Sequence, residues 1–243
     1  MQSDIMNVLK HFTKAARSYD NYAEFQYFTA EKIVQSIIKP PNHILDIGCG
    51  TGILTDLLRQ KFPNTYCTML DIAPLMLMRA KEKLGSYRID YMCGSGSDTN
   101  FIVNLVKQKN IDLIVTNLCF QWFDNPIAIF DIYKAHSPIC ISLLGSHSFY
   151  QWYEAIQSVS LTFKPPISII EPRTTYLNYA YHIHYKTGLN FLQSQKKLGT
   201  LNSKQNNLSA QQIRQACHFF EREHNGIISY FPSILANYPL LRA

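Results

Sequence analysis

The chain has 243 residues, 47% of them hydrophobic and 16% charged, with a formal net charge of +6. That length suits one α/β domain with an appended element, or at most two small domains, and leaves enough apolar material for a proper core. No apolar run approaches the ~20 residues of a membrane span, and Met1-Gln2-Ser3-Asp4 lacks the charged-then-apolar pattern of an export signal. The six cysteines (49, 67, 93, 119, 140, 217) form no CxxC pair. They fit reduced thiols in a cytoplasmic protein, with no metal site expected. Lys and Arg are spread without a basic block, so charge alone does not choose between a nucleic acid, an acidic protein and a carboxylate substrate.

In chain order, Asp4 to Ile38 reads as helical, with apolar positions at Ile5, Val8, Leu9, Phe12 and Ala15-Ala16 and a second stretch from Tyr22 to Ile38. Pro40-Pro41-Asn42 ends it, because the residue before a proline is pushed out of the α region. Strand candidates follow at Ile44–Gly48, Tyr66–Asp71, Ile89–Cys93, Ile111–Asn117 and Ile139–Leu144, alternating with helices near 53–61, 74–84, 100–109 and 125–136. That rhythm predicts a doubly wound, mostly parallel sheet with helices on both faces. Gly48–Gly52, Asp71, Gly94–Asp98 and Thr116–Trp122 then converge on a crevice at the carboxyl ends of the strands. After Leu144 the rhythm breaks. Ser148–Val159 reads as a helix, Lys164-Pro165-Pro166 as a loop and Tyr176–Lys186 as strand-prone. A helix over Gly188–Leu198, a polar loop over Asn202–Leu208 and a helix over Ser209–Glu223 with Ser209 as N-cap come next. Gly226–Leu235 is expected to be a last strand.

The chemistry concentrates at Ile44-Leu45-Asp46-Ile47-Gly48-Cys49-Gly50-Thr51-Gly52. An apolar strand enters a glycine turn that lets a ligand approach the backbone, and the following helix offers its first N–H groups. A dinucleotide fingerprint wants G-x-G-x-x-G, but the glycines fall at 48, 50 and 52 and position 53 is Ile. The G-x-G-x-G form behind Asp46 resembles motif I of the class I S-adenosylmethionine methyltransferases. In that family the loop holds the amino-acid end and ribose of the cofactor. The second strand ends in Asp71, about twenty residues on, where an acid accepts hydrogen bonds from ribose hydroxyls. The resemblance implies that Ile72, Leu75 and Met76, at a helix opened by Pro74, pack near the adenine. It also implies an acid just after Gly94. Ser95 stands there, so either Ser95 or Asp98 is the candidate. Asn117, Leu118, Gln121 and Trp122 close the fourth strand beside the cofactor, with Trp122 alternatively a cap on the core.

Asn117-Leu118-x-x-Gln121-Trp122 is similar to the malonyl-[acyl-carrier-protein] O-methyltransferases of biotin synthesis. Phe12-x-x-Ala15-Ala16-x-x-Tyr19, followed by Ala23 and Gln26, resembles that family's lid helix. Ser142–Phe149 and the tract Phe191–Thr200 resemble further parts of it, while 160–187 matches poorly and Gln193 replaces an expected basic residue. The resemblance implies a seven-stranded, Rossmann-like fold with an N-terminal helical lid (1–38), a cofactor-binding core (42–145) and a substrate side with inserted helices (146–243). It implies methyl transfer from S-adenosylmethionine to the carboxylate of malonyl-acyl-carrier protein, with no nucleic-acid or membrane partner. Tyr19 on the lid, His147 and Arg173 are then candidates to meet the substrate. Lys14, Arg17, Lys186, Lys196 and Lys197 are candidates for the acidic carrier's surface. A carboxyl methyltransferase acting on a small acid such as trans-aconitate, and a methyltransferase-like assembly factor, are the alternatives.

Overall fold

Short apolar runs that bury both faces form parallel strands, and five of them make the spine of this protein. The computed structural model describes residues 2–145, 147–160, 176–200 and 208–237. Helix α1 (Gln2–Ala15), a 3₁₀ turn at Tyr19–Tyr22 and α2 (Glu24–Ser36) come first. Then β1 (His43–Ile47), α3 (Ile53–Lys61), β2 (Tyr66–Asp71), α4 (Pro74–Leu84), β3 (Ile89–Cys93), α5 (Thr99–Lys109) and β4 (Leu113–Asn117) alternate. A 3₁₀ turn at Phe120–Trp122, α6 (Pro126–Lys134) and β5 (Ile139–Leu144) complete the core. The remainder comprises α7 (Tyr150–Gln157), β6 (Tyr176–Asn178), β7 (Tyr181–His184), α8 (Gly188–Leu198), α9 (Ala210–His224), β8 (Ile227–Tyr230) and β9 (Pro232–Ala236).

The main sheet has seven strands in the order β3-β2-β1-β4-β5-β9-β6. The first five run parallel, whereas β9 is antiparallel to β5 and β6 antiparallel to β9. This is the doubly wound, mostly parallel sheet expected from the sequence. The order reverses between β1 and β4, so the crevice opens there. Alternate side chains serve opposite layers. Ile44 and Val115 meet α2 and α3 through Ile33, Leu54 and Leu58, while Leu45, Ile47 and Ile114 meet α5 and α6 through Ile102, Phe130 and Tyr133.

Caps fix the helix starts. Asp98 accepts the Phe101 amide at the start of α5, Asn125 accepts Ala128 at α6, and Ser209 with Gln212 forms a capping box at α9. The expected last strand over Gly226–Leu235 is corrected to two. β8 pairs with β7 in a separate ribbon and β9 joins the main sheet. The corner is Phe231, whose amide donates to Ser148 Oγ at 2.9 Å and whose carbonyl accepts the Gly145 amide at 2.8 Å. Pro232, which has no N–H, starts the new strand.

Candidate functional site

The glycine turn is shaped by what it must not touch. A Cβ on Gly48 would collide with the Cys119 side chain, and Gly48 has φ of 68°. At Gly50, with φ of 54°, nothing lies within 4 Å of the position a Cβ would take, so its backbone faces open space. Four amides of the loop are paired within the fold. Gly48 and Cys49 both donate to the Leu70 carbonyl (2.8 and 3.1 Å), and Gly52 donates to Cys49 (2.9 Å). Gly50 donates to Asp71 Oδ2 at 2.8 Å. β2 satisfies three of these amides, and the loop presents bare backbone at Gly50.

Asp71, at the end of β2, also accepts the Ala73 amide on Oδ1 at 2.8 Å. Burial raises its carboxyl pKa against the lowering pull of those amides. With about four acceptor sites, the carboxylate keeps capacity for a hydroxyl. Asp71 lines a cavity of about 420 Å³ together with Gly48, Gly50, Ile72, Met76, Ser95, Asn117, Leu118 and Trp122. That volume is in the ordinary range for a cofactor-sized pocket, roughly 300–1,000 Å³.

The structure separates the other sequence candidates. Asp46 lies behind the loop, 1% exposed, where it takes the Thr55 hydroxyl at 2.7 Å and ties β1 to α3. Burial pushes its carboxyl pKa up to about 7. Cys49 faces away, among Cys67, Met69 and Leu77, and Gly52 packs against Leu84 and Met69. None of these three lines the crevice. Asp98 is occupied as the α5 cap at 3.0 Å, which leaves Ser95 at the crevice, its hydroxyl 2.8 Å from that of Ser97. Asn117 lines the crevice too, yet its amide braces the fold. Nδ2 donates to the Gln26 carbonyl at 2.9 Å and Oδ1 accepts Ser142 Oγ at 2.6 Å.

A second cavity, about 130 Å³, adjoins the first. Phe12, Tyr19, Leu118 and Trp122 line both. Its inner wall is aromatic and apolar, including Phe25, Phe149, Trp152 and Phe191, and Gln121 faces this cavity instead of the first. Helix α1 reaches over the junction, where Phe12 meets Trp122 edge-on with ring centroids 5.6 Å apart. Tyr19 follows on the 3₁₀ turn. Burial, then Asp71, Asp20 and Cys119, pushes its phenol pKa far above the ordinary value. Asp20 ties the turn after α1 to the glycine loop by accepting the Thr51 hydroxyl, with Lys83 Nζ 3.5 Å away. His147 lies against Phe231, ring centroids 6.5 Å apart, and lines neither cavity. Arg173 lies outside the described residues. Gln26, which the sequence offers only as part of the lid-like pattern, lies on the inner wall of the second cavity. Its placement follows from the Asn117 brace, which joins residues distant in sequence.

A family model described as a methyltransferase domain matches residues 44–136, the stretch from β1 to the end of α6. That core carries the sequence pattern of a methyltransferase domain. The cofactor of class I methyltransferases is S-adenosylmethionine, and the glycine surface, Asp71 and the cavity beyond them fit it. The malonyl-[acyl-carrier protein] O-methyltransferase 1 of Ilyobacter polytropus is 32% identical over 66% of this chain and 60% of its own length. That of Anoxybacillus flavithermus is 38% identical over 48% of this chain and 43% of its own. The chain thus spans less than two thirds of the length of these curated relatives. The structure of the MccD protein superposes with a TM-score of 0.50 at 14% identity, covering 88% of this chain and 96% of that one, and shares the fold. Among the described residues no helix is long and apolar enough to cross a membrane.

Proposed function

We propose that this methyltransferase transfers the methyl group of S-adenosylmethionine to the free carboxylate of a malonyl group on acyl-carrier protein, in the cytoplasm, to give the methyl ester that starts pimelate and biotin synthesis. The observation that carries the reading is the shared wall of Phe12, Tyr19, Leu118 and Trp122 between the crevice and the inner cavity. It brings a cofactor and an acceptor end to end. The names of the curated relatives supply the acceptor.

S-adenosylmethionine supplies an electrophilic methyl group on a sulfonium. The residues around it supply alignment and dryness. Asp71 would hold the ribose, Ile72 and Met76 would flank the base, and Ser95 would meet its edge. A malonyl carboxylate is ionised at neutral pH, so no general base is needed. Tyr19, with its phenol held neutral, lines the path of attack, and Phe12 and Trp122 exclude water. Alignment of this kind supplies roughly 7–11 kcal/mol. The exposed Lys14, Arg17, Lys196 and Lys197 face the acidic carrier. The end of the lid is fastened to α8 there by Ser18 Oγ donating to the Lys197 carbonyl at 3.4 Å.

Expression in a biotin-requiring bacterial strain that lacks this step tests the proposal. Growth without biotin, lost on Asp71→Ala, is expected. Failure of the folded, cofactor-binding protein to restore growth would remove the malonyl acceptor from the reading.

A further inference from the structure

The inner cavity carries three glutamines, and they differ. Gln195 Oε1 accepts the Thr200 hydroxyl at 2.7 Å. The Oε1 atoms of Gln26 and Gln121 are buried without a hydrogen-bond partner, although Gln26 is only 8% exposed and both side chains line the cavity. Native folds leave few buried polar atoms unpaired. Two in one wall mark a place where a ligand completes the bonding.

Both amides hang from one frame. The Gln26 carbonyl is fastened to Asn117 at 2.9 Å, and Asn117 stands four residues before Gln121 on the same connection. Half a turn of a side-chain amide exchanges its oxygen for its NH₂ with almost no change of shape. Either glutamine therefore presents two donors to the cavity.

Building on the methyl-transfer reading, we infer that Gln26 and Gln121 hold the acceptor's carboxylate through neutral amide N–H donors, in place of a cation. The reaction favours such a grip. One carboxylate oxygen attacks the methyl carbon, and the O–CH₃ bond forms as the S–CH₃ bond breaks. The electron pair of the broken bond stays on sulfur. An anion and a cation become two neutral products, and no proton moves. A cation clamped on the carboxylate would hold electron density away from the attacking oxygen. Amide donors orient one oxygen and leave the other free. Phe25, Phe149 and Trp152 in the same wall strip that oxygen of water, which strengthens its attraction to a positive centre.

Calorimetry on the full chain loaded with S-adenosylhomocysteine tests the grip, using malonyl-CoA and its methyl ester as probes. Gln26→Met and Gln121→Met each keep the side-chain length and remove the donors. Each is expected to weaken malonyl-CoA by roughly tenfold to a hundredfold, as for a lost hydrogen bond to a charged group. Affinity for the methyl ester and for S-adenosylhomocysteine should stay that of the parent, which also reports that the variants fold. Gln26→Glu adds a second carboxylate and should repel malonyl-CoA at pH 8 more than at pH 5. Parent-like binding of malonyl-CoA by both Met variants, or its loss on Arg173→Met alone, would overturn the grip in favour of a cation. If the parent binds aconitate and not malonyl-CoA, the malonyl reading fails while the same variants still test the grip on aconitate. A parent that binds no carboxylate overturns both.

Discussion

Asp71 Oδ2 accepts the Gly50 amide at 2.8 Å, so the acid proposed to meet the ribose also sets the position of the loop opposite it. Asp71→Ala removes the hydroxyl acceptor and releases the loop together. Loss of a hydrogen bond to a charged group costs about 1.5–3 kcal/mol, and cofactor affinity by calorimetry is expected to fall tenfold or more. Unchanged affinity would move the ribose elsewhere.

Asp20 joins the lid to the glycine loop through Thr51 and to α4 through Lys83. These groups are partly solvated, so the ion pair adds only about 0–1 kcal/mol to stability. Asp20→Ala is therefore expected to leave the melting temperature nearly unchanged. It should raise amide exchange over residues 8–22 and increase KM for the acceptor. Exchange rates identical to the parent's would show that the latch does not hold the lid.

Asp46 carries a pH signature. Its folded pKa is raised to about 7 from an ordinary carboxyl value of 3.8, chiefly by burial, with Asp71 adding to the rise. The folded state therefore holds a proton that the unfolded state has released. Stability from this group is present below the unfolded value and declines as pH rises toward 7. Asp46→Asn keeps an acceptor for Thr55 and abolishes that slope. In urea unfolding, its stability relative to the parent should be greater at pH 8 than at pH 4.5. An equal difference at both values would mean that Asp46 is ionised with ease. Asp71, also raised by burial, contributes to both proteins alike.

Tyr19 is neutral across the working range because burial and three neighbouring groups push its phenol up. It cannot serve as a general base near pH 7. Tyr19→Phe is expected to lose well under the ~10²–10⁴ that general acid–base catalysis contributes, with an unaltered pH–rate profile. Tyr19→Ala opens the wall between the two cavities and should lose more. A pH limb that disappears in Tyr19→Phe would assign it a proton-transfer role.

The core was legible because its signals are local. Apolar runs, Pro74 at a helix start and the spacing of glycines and Asp71 each lie within a few residues, and α3 and α4 begin and end where their pattern does. What escaped depends on distant neighbours. Gly226–Leu235 reads as one apolar run, but Ser148 and Gly145 capture Phe231 and turn it into a corner. Asp46 and Asp98 look like ligand acids by position, yet Thr55 and the Phe101 amide already occupy them. Gln26 and Gln121 meet at one cavity only because Asn117 ties α2 to the end of β4.

The most direct test offers the purified protein labelled S-adenosylmethionine with malonyl-acyl-carrier protein, malonyl-CoA, trans-aconitate or no acceptor. Label transferred to the malonyl-carrier protein as a base-labile ester, and lost with Asp71→Ala, is the expected result. Cofactor binding without transfer to any of these acceptors, or transfer to aconitate alone, would contradict it.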